Sequence, residues 1–279
     1  MRMEPERRRG SKPATALLIN ANNTNTSFAL ANEKRIVRAV KVPTGRVGKI
    51  PFAANRYNGV VLASVVPAAT KKLLRLLKVA RASRLRSFPR RNRGNRDGRP
   101  TSVLIVNAFI DLGIGVRYPR KQQIGADRLA NAAGVARLYG APAIVVDFGT
   151  ALTFDIVNSR REYVGGVIAP GLAAVTDYLY QRTALLPRIS LREPRSVVGK
   201  STVEAMRAGV VLGYRGLVRE ILAALRRERG LKNAVVVATG GYGELMARGI
   251  PEIERVNPLL TLEGLRFIYL RNRRSGVME

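Results

Sequence analysis

The stretch Ala143–Val157, AIVVDFGTALTFDIV, contains an apolar strand, a short polar turn and a second strand-like run. The same order occurs near the start of the chain in ALLINANNTNTSFAL, Ala16–Leu30. Laid over each other without a gap, the two stretches pair Asn20 with Asp147, Asn22 with Gly149, Thr26 with Thr153, Ala29 with Ile156 and Leu30 with Val157. Phe28 falls on Asp155, where the match lapses. A repeat about half the chain apart predicts two related domains, each opening with a β-hairpin whose tight turn faces a shared cleft.

The segments around these hairpins alternate between helical and strand-like patterns, which predicts a mixed α/β fold in each half. Helices are expected from Thr70 to about Leu85, and at Asp127–Tyr139, Gly171–Tyr180, Thr202–Arg229 and Leu260–Arg273. Further strands are expected at Gly59–Val66, Val103–Asn107, Tyr163–Ile168 and Ala234–Thr239. A boundary near Pro119 would give domains at 14–119 and 120–273, with an Arg/Gly loop at Arg90–Arg99 inside the first.

The chain of 279 residues contains neither cysteine nor histidine. This composition excludes thiolate nucleophiles, zinc fingers, Ser-His-Asp triads and imidazole bases, so acid–base chemistry falls to carboxylates, Lys or Tyr. The longest apolar runs are shorter than the roughly 20 residues that span a bilayer, and the basic N-terminus does not lead into a signal peptide. We therefore expect a cytoplasmic protein with no membrane partner, in a reducing compartment.

The formal net charge of +30 predicts affinity for polyanions. Much of this charge lies in the basic segment Lys71–Arg99, where Asp97 is the only acid. Two interpretations stay open. The segment is either a helix with a solvated basic face followed by a loop, or a non-specific contact for nucleic acid, in which Phe88 is the only aromatic side chain available for stacking.

The turn Asp147–Thr150, DFGT, carries groups suited to a phosphate or a cation. Asp147 at the strand end offers a hard ligand for a cation, Gly149 permits a tight turn, and Thr150 adds a hydroxyl. An Asp that only caps a turn would give the same pattern. The repeat at Asn20 favours the functional interpretation, because two such turns facing one cleft can hold the two ends of a triphosphate.

A second motif, GADR at Gly125–Arg128, begins a helical segment. Asp127 is either the N-cap of that helix or a general base, since a chain without histidine needs a carboxylate for this role. The segment Gly199–Thr202, GKST, is not a Walker motif, because Pro194 stands where its first glycine belongs. Thr202 is then a helix N-cap or a hydroxyl contact for a substrate.

These motifs together resemble the type III pantothenate kinases, members of the actin-like, sugar-kinase-like ATPase superfamily. The resemblance extends from Leu18 to about Arg273, and GADR and DFGTA at this spacing are its most specific parts. Its other motifs are NTNT at 23–26, SVVP at 64–67, GGVIAPG at 165–171, GKST at 199–202, ATGG at 238–241 and LTLEGL at 260–265. The resemblance implies an α/β fold of two duplicated actin-like (ribonuclease H-like) domains with a cleft between them.

The resemblance also implies ATP-dependent phosphorylation of pantothenate to 4′-phosphopantothenate, the first step of coenzyme A biosynthesis. It implies Mg²⁺ and a monovalent cation, K⁺ or NH₄⁺, as cofactors, and a homodimer with its site near the subunit interface. Asp127 would be the proton acceptor and Asp147 the monovalent-cation ligand. The implied ATP contacts are Asn20, Ala21, Asn22, Asn23, Thr24, Asn25, Thr26, Ser27 and Thr150. The implied pantothenate pocket consists of Tyr118, Gly125, Ala126, Asp127, Arg128 and Thr202.

The chain departs from the family pattern in its first turn, where the family usually reads DxGNT and this sequence has Asn20 and Asn22. Asn22 is the milder change, because asparagine tolerates positive φ better than most residues. Asn20 lacks the negative charge that helps to hold Mg²⁺ against the β- and γ-phosphates. These departures and the high net charge leave an alternative: a catalytically impaired kinase homologue that binds nucleic acid or acts in regulation.

Overall fold

The computed structural model describes residues 16–77 and 103–274, which form two β-sheets with helices on their faces. The first sheet contains β1 (Ala16–Ala21), β2 (Asn25–Ala31), β3 (Ile36–Pro43), β4 (Gly59–Ser64) and β5 (Val103–Ile105), in the order β3-β2-β1-β4-β5. The second contains β6 (Gly115–Val116), β7 (Ala143–Phe148), β8 (Ala151–Val157), β9 (Glu162–Pro170), β10 (Val235–Gly240) and β11 (Arg255–Val256), in the order β11-β10-β7-β8-β9-β6.

The two sheets repeat one pattern of strand pairing. In the first, β1, β2 and β3 form an antiparallel meander, and β4 and β5 add parallel to the other side of β1. In the second, β7, β8 and β9 form the same meander, and β10 and β11 add parallel to the other side of β7. Only β6, on the outer edge beyond β9, lacks a counterpart among the described strands. The predicted fold class, α/β with two duplicated domains, is confirmed.

The gapless overlay of the two hairpins is wrong beyond the turn. Asn20 pairs with Ser27 in the first hairpin, whereas Asp147 pairs with Thr153 in the second, so the first turn is one residue longer. With that residue removed, Phe28 falls on Phe154, and both rings are completely buried. The mismatch of Phe28 with Asp155 in the gapless overlay therefore arose from the difference in turn length. The counterpart of Asp155 in the first hairpin is Ala29.

Six α-helices connect and cover the sheets in the described residues. They are α1 (Pro67–Leu76), α2 (Ala126–Leu138), α3 (Leu172–Arg182), α4 (Thr202–Arg227), α5 (Gly243–Ala247) and α6 (Leu260–Arg274). The five predicted helices are all present, although α1 begins at Pro67, a residue that suits the first turn of a helix. The remainder of the basic segment beyond Leu77 and the Arg/Gly loop lie outside the described residues.

Helices α2 and α6 lie between the two sheets and hold them together. One core cluster joins Leu18 and Val61 of the first sheet to Val145 and Val237 of the second through buried apolar side chains of both helices. Two further cores cover the outer faces, one on the first sheet with α1 and one on the second with α3, α4 and α5. The predicted boundary near Pro119 stays a prediction; the strands change sheet between Ile105 and Gly115.

For Asp127 and Thr202, the alternative of a helix N-cap is wrong. The N-cap of α2 is Gly125, so Asp127 lies inside the first turn and is free of the capping role. The N-cap of α4 is Ser201, whose Oγ accepts a hydrogen bond from the backbone N–H of Glu204. Thr202 is consequently the first helical residue rather than the cap.

Candidate active site

The two hairpin turns meet across the cleft between the sheets. Thr24 of the first turn and Thr150 of the second share a hydrogen bond of 2.9 Å between their hydroxyl oxygens. The first turn is closed by a bond from the Asn22 N–H to the Asn25 carbonyl. Thr44, just after β3, braces it, because the Thr44 hydroxyl donates to the Asn22 carbonyl at 2.6 Å. The two turns therefore lie against each other in one cleft, and their joint contact with a ligand stays a prediction.

The residues of the first turn differ in their exposure. Asn23 and Thr24 are exposed at its tip, whereas Ala21 and Thr26 are completely buried. The Thr26 hydroxyl lies 3.0 Å from that of Thr44. The tip is therefore the part of the turn that a nucleotide can reach directly.

Asn20 and Asn22 each place a buried amide oxygen in this turn without a hydrogen-bond partner among the described residues. Asn20 is only 7% exposed. A buried acceptor without a donor is costly, so these oxygens suit a cation, its water or a donor on a ligand. Neither Asn22 nor Gly149 has a positive φ. The prediction that asparagine is tolerated at position 22 because it adopts positive φ is therefore wrong.

Asp147, at the end of β7, is the carboxylate of the second turn. Its Oδ2 accepts a hydrogen bond of 3.1 Å from the Asn131 amide of α2, which in turn accepts one of 2.7 Å from the Thr261 hydroxyl of α6. Gly240 ends β10 beside it with a φ of +87°, and a side chain there would lie 2.5 Å from Asp147 Oδ1. Burial raises the pKa of Asp147 to about 6, opposed by the Asn131 hydrogen bond. A half-buried carboxylate whose hydrogen-bond donor among the described residues is a neutral amide fits a cation ligand.

Asp127 lies in the first turn of α2, where its Oδ1 accepts a hydrogen bond of 2.9 Å from the Arg128 N–H. Burial raises the pKa of Asp127 above the ordinary carboxyl value, and the Arg128 hydrogen bond only partly opposes this shift. The charge of Asp127 also raises the pKa of Asp147, so the two carboxylates lie within electrostatic range of each other. A half-buried carboxylate with a raised pKa can accept a proton more readily than an exposed one.

Of the remaining predicted pocket residues, Arg128 and Tyr118 contact the second sheet, Thr202 lies apart from them, and Gly125 and Ala126 border a cavity. Arg128 forms an ion pair with Asp155, and Tyr118 lies against Tyr163 with their ring centroids 6.2 Å apart. Thr202 is exposed at the start of α4, and no hydrogen bond within the described ranges joins it to GADR. A cavity of about 410 Å³ opens beside Gly125 and Ala126, lined in part by Asn107, Phe109 and Lys121.

Sequence reasoning missed four residues that support the site: Thr44, Asn131, Asp155 and Thr261. Asp155 had a signal, since it is an acid inside an otherwise apolar strand, but the gapless overlay paired it with Phe28 and gave no reason for it. Asn131 of α2 donates to Asp147 and accepts a hydrogen bond from Thr261 of α6, and no local pattern joins positions so far apart in sequence.

Several predictions about partners stay predictions. Only residues 71–77 of the basic segment are described, so contact with nucleic acid remains untested. Among the described helices, none is long and apolar enough to cross a membrane. The same part of the chain contains no group of three or more acidic, His or Cys side chains that could hold a metal ion.

Two sheets that share one central strand order, whose first turns meet in the cleft beside half-buried carboxylates, define a duplicated α/β fold of the actin-like class. The model of the type III pantothenate kinase family matches residues 16–224. A type III pantothenate kinase of Akkermansia muciniphila is 45% identical over 258 residues, covering 90% of this chain and 97% of that protein. One from Moorella thermoacetica is 43% identical over 214 residues, covering 77% of each. The chain belongs to the type III pantothenate kinase family.

A solved structure supports the fold independently. A conserved Baf family protein from Campylobacter jejuni matches with a TM-score of 0.55 at 17% identity, covering 92% of this chain and 99% of that one. At this identity the likeness shows the fold alone. Neither the comparisons nor the described residues favour the alternative of a kinase homologue that acts on nucleic acid or in regulation.

Proposed function

We propose that this chain transfers the γ-phosphoryl group of ATP to the 4′-hydroxyl of pantothenate, giving ADP and 4′-phosphopantothenate for coenzyme A biosynthesis in the cytoplasm. Family membership supports the reaction. The observation that carries the proposal is the contact of 2.9 Å between Thr24 and Thr150, which joins the first turn to the turn that carries Asp147. Asp127 lies within electrostatic range of Asp147. Positioning and electrostatic stabilisation are the main contributions that a protein makes to phosphoryl transfer.

The donor side of the site is built from the two turns. The exposed hydroxyls of Thr24 and Thr150 can donate to phosphate oxygens when ATP separates them. Asn20 supplies a buried neutral oxygen behind the turn. The first turn is fixed by Thr44, so little reorganisation is needed when the triphosphate binds.

The acceptor side is provided by GADR. The Asp127 carboxylate takes the proton of the pantothenate hydroxyl as that oxygen forms its bond to the γ-phosphorus. The bond between the γ-phosphorus and the β–γ bridging oxygen breaks, and its electron pair leaves with ADP. Because burial raises the pKa of Asp127, the carboxylate is a stronger base than an exposed aspartate.

The oxygen donors of the site fit two kinds of cation. Asp147 would hold a monovalent cation, K⁺ or NH₄⁺, because it is a half-buried carboxylate without a cationic hydrogen-bond partner among the described residues. Asn20 would face Mg²⁺ through its free amide oxygen. When bound, these ions neutralise the negative charge of the phosphates and of Asp147. The described residues supply few anionic ligands for Mg²⁺, so ATP oxygens and water would complete its shell.

We further propose that the chain is a homodimer. An apolar groove of about 390 Å³ lies between α3 and α4, lined by residues that include Val175, Leu179, Gly213 and Leu217. Tyr178 beside it is 62% exposed. The groove is on the outer face of the second sheet, and α4 begins at Thr202, so a partner seated there would lie near the start of this helix. Exposed apolar surface of this kind is typical of association sites.

The test is an assay of 4′-phosphopantothenate and ADP with ATP, Mg²⁺ and K⁺ for the parent and Asp127→Asn. We expect equimolar products from the parent, and a kcat lower by about 10²–10⁴-fold in the variant because the base is lost. Pantothenate binding, measured by calorimetry, should be largely retained.

Two results would count against the proposal. If the parent forms no 4′-phosphopantothenate at saturating pantothenate and ATP, the proposed reaction is refuted. Equal kcat values for the parent and Asp127→Asn would support the proposed reaction but refute the role of Asp127 as its base.

A further inference from the structure

The ion pair between Arg128 and Asp155 joins α2 to the second sheet next to the base. Arg128 Nε donates to Asp155 Oδ1 at 2.6 Å. The side chain of Asp155 is completely buried and that of Arg128 is 14% exposed. Asp155 Oδ2 has no hydrogen-bond partner among the described residues, so Arg128 is the main compensation for this carboxylate.

The rest of the guanidinium is also held in place. Its Nη2 lies 3.4 Å from the Phe154 carbonyl oxygen, and its central carbon lies 5.7 Å from the centroid of the Tyr163 ring. Gly166 lets β9 approach here, because a Cβ on it would overlap both the Phe154 carbonyl and Arg128 Nη2. None of the hydrogen bonds formed within the described residues uses Nη1. The guanidinium is thus held by three neighbours, and Nη1 is the donor group that takes part in none of these contacts.

The fold itself does not require a carboxylate at position 155. The internal repeat provides the comparison, because β2 and β8 share the same pattern of burial and Ala29 occupies the position of Asp155 in the first hairpin. Ala29 is completely buried, and that hairpin forms without an ion pair. Burying a charge pair in place of an apolar side chain rarely stabilises a fold. A role in placing Arg128 accounts for the acid that the second hairpin carries.

The acceptor of the proposed reaction carries a carboxylate at the end opposite its reactive hydroxyl. An arginine fork matches a carboxylate in charge and geometry better than a lysine does, provided that its plane is fixed. We propose that Asp155 is a positioning residue, which orients the Arg128 guanidinium so that its free Nη1 edge binds the carboxylate of pantothenate. This inference rests on the proposed function, since it assigns Arg128 to the same acceptor.

The first test compares Asp155→Asn with the parent in steady-state kinetics. We expect the KM for pantothenate to rise about 10- to 100-fold, while the KM for ATP and kcat change less than about threefold, because a charged hydrogen bond to the substrate is lost and the reacting groups are unchanged. The control is Glu252→Gln, which breaks a more exposed Nε–carboxylate pair, Arg219 with Glu252 at 3.1 Å, away from the site. This control should leave both KM values unchanged.

A second substrate separates recognition of charge from general damage. In pantothenol a CH₂OH group replaces the carboxylate of pantothenate, so its KM should be nearly the same for the parent and for Asp155→Asn. A parallel rise in KM for pantothenate and pantothenol would overturn the positioning role. So would an unchanged KM for pantothenate. If the parent itself neither binds nor phosphorylates pantothenate, the proposed function has failed instead.

Because Asp155→Asn leaves Arg128 without its buried partner, the variant can fail to fold. A double-mutant comparison covers this case, since Arg128→Gln with Asp155→Asn removes both charges. If Asp155 acts through Arg128, the double variant and Arg128→Gln alone should show the same KM for pantothenate within about twofold. A further several-fold rise in the double variant would show that Asp155 acts independently of Arg128 and would refute the inference.

Discussion

Asn20→Asp restores the carboxylate that the family pattern places at the end of the first strand, and we expect it to raise turnover. Asn20 is 7% exposed, and its amide oxygen has no hydrogen-bond partner within the described ranges. Its counterpart in the second hairpin, Asp147, keeps its carboxylate with an amide donor from Asn131. The first turn therefore has the oxygen but lacks the charge.

The size of the effect follows from what the amide retains. Removing a whole pre-organised donor to the transition state typically costs about 10²–10³-fold in kcat. Asn20 keeps one oxygen in place, so only the charge is missing, and we expect Asn20→Asp to raise kcat about 10- to 100-fold. This corresponds to about 1.4–2.7 kcal/mol of transition-state stabilisation.

The same substitution should destabilise the protein in the absence of nucleotide. A buried carboxylate without a donor is costly, and a penalty of about 1–3 kcal/mol is expected. For a chain of this size each kcal/mol lowers Tm by roughly 2–4 °C. Addition of Mg²⁺ and ATP should then raise the Tm of the variant by more than that of the parent, because the bound cation offsets the new charge.

The assay is kcat at saturating ATP and pantothenate, with Tm measured with and without Mg²⁺ and ATP. Asn23→Asp is the matched control, since it adds the same charge at the exposed tip of the same turn. We expect it to leave kcat unchanged or lower it, because a negative charge at the tip repels the phosphates. A flat or reduced kcat in Asn20→Asp, or equal gains in both variants, would refute the reasoning.

Three further predictions follow from the site and its surroundings. Thr150→Val removes the hydroxyl that meets Thr24 and should raise the KM for ATP about 3- to 10-fold in steady-state kinetics, with the KM for pantothenate as the control. On the acid side, kcat/KM should fall with decreasing pH, with an apparent pKa above the ordinary aspartate value of about 3.9. The reason is that burial raises the pKa of Asp127 and only its deprotonated form accepts a proton. An apparent pKa at or below about 3.9 in the measured pH profile would contradict this prediction. Leu217→Arg should convert the dimer to a monomer in sedimentation velocity, whereas Val37→Arg, an exposed position on the first sheet, should leave it intact.

The sequence predicted the duplicated architecture because each hairpin is a local unit. Apolar runs of strand length, bounded by polar turn residues, recur in both halves, and this pattern depends only on neighbours along the chain. GADR and DFGT could be found in the same way, because residues at fixed short spacing share one turn or the start of one helix. The family resemblance then gave their roles in the proposed reaction.

Turn length and capping were beyond the sequence pattern. The additional residue in the first turn shifts the overlay by one position, and only the observed strand register, Asn20 with Ser27 against Asp147 with Thr153, reveals it. The N-caps at Gly125 and Ser201 depend on backbone geometry that either of two neighbouring residues could have adopted.

The surroundings of the carboxylates were decided by tertiary structure alone. Asn131 and Thr261 are 130 positions apart, and their contact at Asp147 exists because α2 and α6 pack together between the sheets. Likewise Arg128 reaches Asp155 only because α2 crosses the second sheet at that strand. The sequence by itself thus determined which acids and turns the protein has, while long-range packing determined which groups face them, how deeply they are buried and how readily each carboxylate gives up its proton.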